Sequence, residues 1–193
     1  MTRPRSFDEP EVLDAAIDCF WRRGYAATSM RDLSGEMGLG SASLYNAFSD
    51  KRTLFVRALD RYLDQTMRER IARLERTAPP KRAVTAFIAE IVERSVDDPG
   101  QRGCMLVNAA AEIAPLDREL GRHIGACLDE LHAFFRRCIV RAKADGSVPA
   151  DRDAAEIAAL LLAVVMGIRV LARAKPDRKL LRRIAKPALA MLD

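Results

Sequence analysis

The chain has 193 residues, of which 49% are hydrophobic and 31% are charged, a balance that excludes a disordered or fibrous protein and predicts a buried core. Its four cysteines lie far apart without a Cys-x-x-Cys pair, which argues against a zinc site and a disulfide framework. The net charge of +5 arises near the C-terminal end, because positions 1–57 hold eight basic and eight acidic residues. Net charge therefore does not locate a nucleic-acid-binding surface, and local patterns must do so.

The longest apolar run covers residues 157–172 and is interrupted by Arg169, so it is too short and too charged for a membrane span. Residues 1–7 carry arginines without a following apolar stretch, so no signal peptide is expected. These features predict a cytoplasmic protein in a reducing compartment, without a membrane partner.

Apolar residues recur at helical spacing along nearly the whole chain, and no segment alternates like a half-buried strand. The sequence therefore predicts an all-α protein of about nine helices. The first predicted helix begins at Asp8, whose spacing from Glu11 is typical of a capping box. It ends at Gly24, the residue type that favours a helix C-terminus.

The next two predicted helices are short and follow one another almost at once. The second begins at Thr28 or Ser29 and ends at Gly38, and the third covers about residues 41–48. Residues 37–40 between them are too few for a flexible linker. This spacing predicts a helix-turn-helix corner within an N-terminal domain of residues 1–52.

The remaining sequence predicts a helical domain of residues 53–193. Its first helix is long, is capped by Ser49 and ends at Pro79 and Pro80. Proline- and glycine-containing turns separate the helices that follow. We expect these later helices at about residues 81–96, 104–114, 116–144, 152–174 and 177–192.

The third predicted helix presents a surface suited to the major groove of DNA. Leu44 and Phe48, four residues apart, would face the core. Asn46 offers the donor and acceptor pair that suits adenine, and Tyr45 can reach a phosphate. Three small residues at the N-terminal end of the helix would allow close approach to the groove floor, namely Ser41, Ala42 and Ser43.

Groups suited to phosphate contacts surround this helix in the sequence. Thr28 and Ser29 lie at the predicted N-terminus of the second helix, where free N–H groups and the helix dipole favour an anion. Lys51 lies in the first turn of the fourth helix, close to the same strand of DNA. Arg3 and Arg5 precede the first helix and would form a basic arm.

Two stretches resemble the DNA-binding signature of the TetR/AcrR family of bacterial repressors, namely residues 24–33 (GYAATSMRDL) and 38–51 (GLGSASLYNAFSDK). The resemblance implies that residues 41–46 lie on the recognition helix and that Thr28, Tyr45 and Lys51 contact phosphates. It also implies a homodimer formed mainly by the last two helices, with an effector bound in the C-terminal domain. Gly40 and Ala47 depart from the signature, which often has a capping Ser or Thr and a larger residue at these positions.

Residues 154–172 are apolar almost all round, which is typical of a helix buried on more than one side. Such a helix can be buried within its own domain, or it can meet a partner subunit as the family resemblance favours. In the second case Gly167 would permit close approach. The residues predicted for a dimer interface are Leu160, Leu161, Val164, Val165, Gly167, Ile168 and Leu171.

Cys104 begins a predicted short helix, where a thiolate is favoured, so it is a candidate sensor of electrophiles or oxidants. The alternative is a small buried hydrophobic residue. His123 and His132 are nine residues apart and do not share a helix face as a metal pair would. No catalytic or dinucleotide-binding motif is found, so neither an enzyme nor a cofactor is predicted.

The sequence therefore predicts a ligand-responsive transcriptional repressor. Its expected partners are double-stranded operator DNA, a second copy of the chain, and an apolar or amphipathic small molecule that releases the DNA. One alternative is a helical protein-interaction adaptor that does not bind DNA. Another is a variant of the repressor in which Cys104 senses electrophiles or redox state.

Overall fold

A computed structural model describes residues 7–193, so the predicted basic arm of Arg3 and Arg5 lies outside the described residues. Within this range the chain is helical, without a strand. The elements are α1 (Glu9–Arg23), α2 (Met30–Glu36), α3 (Ser41–Phe48), α4 (Lys51–Leu63), a π-helical segment (Asp64–Arg68), α5 (Glu69–Thr77), α6 (Pro80–Val96), α7 (Met105–Glu112), α8 (Arg118–Ala144), α9 (Ala154–Ala174) and α10 (Arg178–Ala190). Because α4, the π-helical segment and α5 are continuous, residues 7–193 form nine helical rods, which confirms the predicted fold class.

The three N-terminal helices pack together with α4 around one apolar core. Helix α1 buries an apolar stripe that includes Leu13, Ala16, Ile17 and Phe20, and it contacts α4. Phe20 of this stripe meets Phe55 of α4 edge to face, with the ring centroids 5.1 Å apart. Gly24 ends α1 at φ +82° as predicted, and this left-handed conformation favours glycine.

Two predicted helix caps are wrong. Asp8 precedes α1, but its side chain makes no capping hydrogen bond, so the expected capping box with Glu11 does not form. Asp50, and not Ser49, caps α4, because its carboxylate accepts the N–H of Thr53 at 2.7 Å. Ser49 instead reverses the chain after α3 at φ +62°, and a cap residue requires the extended backbone that Asp50 adopts.

The C-terminal domain is a helical bundle in which α6, α8, α9 and α10 pack side by side. Its centre contains Phe87 of α6 together with Phe134 and Phe135 of α8. The three ring centroids lie 5.2 to 5.5 Å from one another. Such mutual contacts of large aromatic rings contribute much of the apolar burial in a core of this size.

Helix α9 lies within the predicted range of residues 152–174, but the expectation that its apolar run is too short for a membrane span is wrong. It runs for 21 residues with a mean hydropathy of 2.2, so by length and composition alone it could cross a membrane. Core helices of soluble proteins pass the same test, and α9 packs against α6, α8 and α10. Only 28% of its most apolar window is buried within the described chain, which leaves an apolar face uncovered.

Candidate nucleic-acid interface

The corner between α2 and α3 is held by short-range hydrogen bonds. The N–H of Leu39 donates to the carbonyl of Ser34 at 3.1 Å, and the N–H of Gly38 donates to that of Gly35 at 3.3 Å. Gly38 has φ +62°, which glycine adopts without strain. The hydroxyl of Ser34 also donates to the carbonyl of Leu39. These bonds set the direction in which α3 leaves the corner.

Helix α3 divides into the two faces predicted from its sequence. Leu44 and Phe48 are buried. Tyr45 and Asn46 are exposed, and neither side chain has a hydrogen-bond partner among residues 7–193. The small residues at the N-terminal end are also exposed, namely Ser41, Ala42 and Ser43. The face suited to a major groove is therefore available to a ligand.

The N-terminus of α3 has no side-chain cap. Gly40 occupies the N-cap position and contributes no side chain, which matches the departure from the family signature. The first N–H groups of a helix have no acceptor within the helix. Because no side chain caps them, those of residues 41–43 are left to solvent or to an anion.

Thr28 does not present its hydroxyl to a phosphate, contrary to the prediction. The residue is 1% exposed, and its hydroxyl donates to the carbonyl of Gly24 at 2.6 Å. Thr28 therefore closes the turn between α1 and α2. The family resemblance predicted that Thr28 lies near DNA. It could not predict that the Thr28 side chain faces inward, because that orientation depends on how the turn packs.

Ser29 is committed to a capping box with Asp32. The Ser29 hydroxyl accepts the N–H of Asp32 at 3.1 Å, and the Asp32 carboxylate accepts the N–H of Ser29 at 2.9 Å. The hydrogen bond from the Ser29 hydroxyl holds the pKa of Asp32 below its usual value. An ionised carboxylate thus already occupies the N-terminus of α2, where a phosphate was predicted.

Lys51 ties α4 to the turn between α1 and α2. Its Nζ donates to the carbonyls of Tyr25 and Thr28, each at 3.0 Å, and lies 4.3 Å from the centroid of the Tyr25 ring. An ammonium group has three donors. Two are used by the fold, so Lys51 keeps one donor for the predicted phosphate contact.

Arg31 is a candidate phosphate contact that the sequence analysis missed. It is exposed in the first turn of α2 and has no ion-pair or hydrogen-bond partner among residues 7–193. The other arginines of residues 7–58 are paired with carboxylates, namely Arg22, Arg23, Arg52 and Arg57. The available signal was the position of Arg31 in the quoted signature, two residues beyond the Ser29 cap.

Helix α1 and the turn that follows it are joined to the C-terminal domain by polar contacts. The carboxylate of Glu112, at the end of α7, accepts the N–H groups of Tyr25 at 3.3 Å and Ala26 at 2.8 Å. The indole N–H of Trp21 donates to the carbonyl of Arg102 at 3.1 Å. A shift of α7 or of the loop before it would therefore move the turn that precedes α2.

The predicted dimer surface on α9 needs correction. Leu161, Val165 and Ile168 are buried in the core of the chain itself, so they cannot contact a partner. Leu160 and Leu171 are exposed, while Val164 and Gly167 are half-buried. Because α9 is apolar almost all round, periodicity did not reveal which face packs inward. These four residues remain the predicted interface, on a face extended by Ala155, Ala159, Ala163 and Val170.

Cys104 is half-buried and stands at the N-terminus of α7. Its Sγ lies 3.7 Å from the hydroxyl of Tyr62. The other cysteines are buried in the core, namely Cys19, Cys127 and Cys138, and all four thiols are free. Cys104 is therefore the most accessible thiol, and its role as a sensor stays a prediction.

Asp60, His123 and Cys127 form a group whose ligand atoms lie within 4.8 Å of one another. Cys127 lies one helical turn from His123 on α8, a spacing that comparing the two histidines alone did not reveal. Arg68 donates to Asp60 at 3.3 Å, and burial raises the pKa of Cys127 to about 12. A competing guanidinium and a protonated thiol make this group a poor fit for a metal ion.

Two family models match the chain. The model described as "Bacterial regulatory proteins, tetR family" matches residues 12–58. The model described as "Tetracyclin repressor-like, C-terminal domain" matches residues 80–187. The first match includes α2, the corner and α3, and the second includes α9.

Similar proteins include curated regulators and solved structures. An uncharacterized HTH-type transcriptional regulator of Bacillus subtilis, YezE, is 30% identical over the whole of both chains. The HTH-type transcriptional repressor ComR of Escherichia coli is 27% identical over 98% of this chain and 90% of its own. A solved structure shows a cysteine-substituted variant of the TetR family transcriptional regulator CifR with 26-bp operator DNA. That protein is 33% identical over both full chains, with a TM-score of 0.88.

Proposed function

Because the chain belongs to the tetR family of bacterial regulatory proteins and is thus a helix-turn-helix transcriptional regulator, we propose that it represses its target as a dimer and is released by a small molecule. The exposed face of α3, with Tyr45 and Asn46 unpartnered among the described residues, carries this proposal. ComR is described as a repressor, and the CifR variant is complexed with operator DNA, which supports the same role here. We expect a cytoplasmic protein without enzymatic activity.

Helix α3 lies in the major groove in the proposed complex. The small side chains at its N-terminal end allow the helix to approach the bases closely, and the Asn46 amide pairs with an adenine edge. Tyr45, Arg31 and the remaining donor of Lys51 contact phosphates, which position the helix without reading sequence. This division separates residues that set specificity from residues that set affinity.

The dimer is proposed to form on the exposed face of α9, with α10 beside it. A face of Leu160, Leu171 and intervening alanines would leave a continuous apolar surface in water, and such surfaces mark interaction sites. A two-fold axis lets one patch cover its own copy. Two recognition helices would then meet half-sites about one helical turn, roughly 34–36 Å, apart.

Release is proposed to occur through the contacts between the two domains. An effector in the C-terminal domain that prefers one arrangement of α7 shifts the population toward it by its difference in affinity. Because Glu112 and Trp21 link the two domains by hydrogen bonds, a shift of α7 moves the turn before α2. The spacing of the two recognition helices changes, and the operator no longer fits both.

A second candidate function is thiol sensing by Cys104. The thiol lines a cavity of the C-terminal domain and is the most accessible of the four cysteines, so an electrophile can reach it. Treatment with an alkylating agent should then release the wild type from DNA but leave Cys104→Ser bound. Equal release of both proteins would return Cys104 to a structural role.

The test of the proposed function is binding of the full-length protein to the DNA upstream of its own gene. We expect a complex of two chains per operator, measured by sedimentation, and no stable complex with a scrambled sequence. A plot of the logarithm of the operator association constant against the logarithm of salt concentration should be linear. Its slope should be about −0.9 for each phosphate contacted. A monomeric complex, or equal binding to both sequences, would contradict the proposal.

A further inference from the structure

A small cavity lies inside the C-terminal domain, where the π-helical segment, α5 and α6 meet α7, α8 and α9. Its free volume is about 30 Å³, which is room for one or two water molecules. Most of the lining is apolar, but it also includes the side chains of Tyr62, Arg70, Cys104 and Arg169. Two guanidinium groups in a mostly apolar cavity require an explanation.

Arg70 is buried with an unused donor. It is 4% exposed, its Nε lies 3.1 Å from Oε2 of Glu90, and its Nη2 has no hydrogen-bond partner among the described residues. Burial lowers the pKa of Arg70 to about 10, and the charges of Arg94 and Arg169 act in the same direction. A buried charged donor without an acceptor is unfavourable, so the site suits an added anion.

The carboxylates beside the cavity carry too little negative charge to neutralise the arginines that line it. Glu90 also pairs with Arg73, at 2.7 Å, so one carboxylate serves two guanidinium groups. The Nη1 of Arg169 donates to the hydroxyl of Ser95 at 3.1 Å, a neutral partner. The cavity therefore carries excess positive charge that a carboxylate would neutralise.

We propose that the effector is an organic acid whose carboxylate binds between Arg70 and Arg169, with a short apolar body against the rest of the cavity. A guanidinium fork matches a carboxylate in geometry and charge. The inference rests on the proposed function, because it names the ligand class that releases the operator. It narrows the apolar or amphipathic molecule predicted from the sequence.

The cavity has a route to the surface and to the DNA-binding helices. A second cavity of about 330 Å³ shares Tyr62, Thr66 and Arg169 with the first and extends to Trp21 and Arg102. The rings of Trp21 and Tyr62 meet edge to face, with centroids 5.0 Å apart. A ligand larger than the inner cavity must displace Tyr62, and this displacement would press on Trp21 of α1.

The first test concerns the protein without ligand. Replacing Arg70 by Met removes a buried charge, while Glu90 keeps its bond to Arg73, so Arg70→Met should raise Tm by about 2–4 °C. The matched control is Arg73→Met, one turn along the same helix and more exposed, which should not raise Tm. A lower Tm for Arg70→Met than for Arg73→Met would mean that Arg70 serves the fold and would overturn the proposal.

The second test uses the sodium salts of straight-chain acids from acetate to octanoate and of benzoate, each beside its primary amide. At least one acid should raise Tm above a sodium chloride control and release the operator, and its amide should not. Arg70→Met and Arg169→Met should each bind that acid about tenfold or more weaker, and Arg73→Met should respond like the wild type. Because Arg70→Met and Arg169→Met test the same carboxylate site independently, the test remains valid if one of these two variants folds poorly.

Three results would overturn the carboxylate site: no acid acts beyond sodium chloride, an amide equals its acid, or both variants respond like the wild type. These results leave the proposed function intact if the wild type binds its own promoter. Failure to bind that promoter counts against the proposed function instead, since the Tm shifts are measured without DNA. The two failures are thus distinguishable.

Discussion

Single side chains near the recognition helix serve either the fold or the DNA. The Thr28 hydroxyl donates a hydrogen bond within the α1–α2 turn, and the Ser29 hydroxyl accepts one as the N-cap of α2. Tyr45, Asn46 and Arg31 have no partner among residues 7–193. Side chains without internal partners can contact a ligand without breaking a native interaction, so substitutions at these three positions should change DNA binding more than stability.

Asn46→Ala should relax the preference for one base pair while leaving binding to other sequences nearly unchanged. A bidentate contact to a base edge discriminates by about 1–3 kcal/mol, and the alanine side chain makes no such contact. Binding to a set of operators with single substitutions measures the change. An equal loss on every operator would place Asn46 on the phosphate backbone instead.

Arg31→Ala should weaken binding to all sequences and should lower the slope of log affinity against log salt by about 1, because one phosphate contact is lost. The matched control is Arg22→Ala, since Arg22 is also exposed but is paired with Glu36. A salt slope that changes equally in both variants would show that net charge, and not the position of Arg31, matters.

The two faces of α9 show how one apolar element can have two functions. Leu160 and Leu161 are neighbours in sequence and identical in chemistry, yet Leu160 is 40% exposed and Leu161 is 0% exposed. Leu161 packs in the core of its own chain. Leu160 faces outward, where the proposed partner subunit would cover it.

Leu160→Glu should therefore give a helical monomer that has lost tight operator binding, because the charge would be buried only in the dimer. Leu161→Glu should instead unfold or strongly destabilise the chain, by at least about 3 kcal/mol, because the charge enters the core. Sedimentation and thermal unfolding monitored by circular dichroism measure both outcomes. A Leu160→Glu protein that stays dimeric would move the interface to another surface.

At the scale of the whole molecule, a few polar contacts connect ligand binding to DNA binding. Glu112 bridges α7 and the α1–α2 turn through the N–H groups of Tyr25 and Ala26. Hydrogen bonds to a charged group contribute more than neutral ones, about 1.5–3 kcal/mol against about 1 kcal/mol. The two hydrogen bonds to Glu112 can therefore transmit a shift of α7 to the α1–α2 turn. A single substitution at Glu112 should weaken this coupling measurably.

Glu112→Gln should keep operator binding but reduce, by several-fold, the factor by which the effector weakens it. The amide still accepts a hydrogen bond, so the fold persists, while the charge-assisted part of the coupling is lost. Operator affinity with and without the releasing ligand measures this factor. Glu75→Gln, which removes a carboxylate paired with Arg137 inside the C-terminal domain, serves as a control, and an equal effect in both would argue against a specific bridge.

Local sequence determined the elements and much of the recognition surface. The four-residue spacing of Leu44 and Phe48 was sufficient to place the opposite face of α3 toward solvent, because a helix repeats its faces every 3.6 residues. The glycines at 24 and 38 similarly marked a helix end and a turn, because their left-handed backbone is a local property. The family resemblance then supplied the expectation of DNA binding.

Tertiary structure decided which of the chemically suitable residues remain available. The hydroxyl of Thr28 is hydrogen-bonded within the fold, and two of the three donors of Lys51 are used in the same way. Leu161 is buried in its own chain and is therefore not available to a dimer interface. Arg70 became a candidate ligand contact because its Nη2 is buried without a partner among the described residues. Burial and pairing arise from contacts between distant positions, such as Glu112 with Ala26, 86 residues apart, and helical periodicity does not encode such contacts.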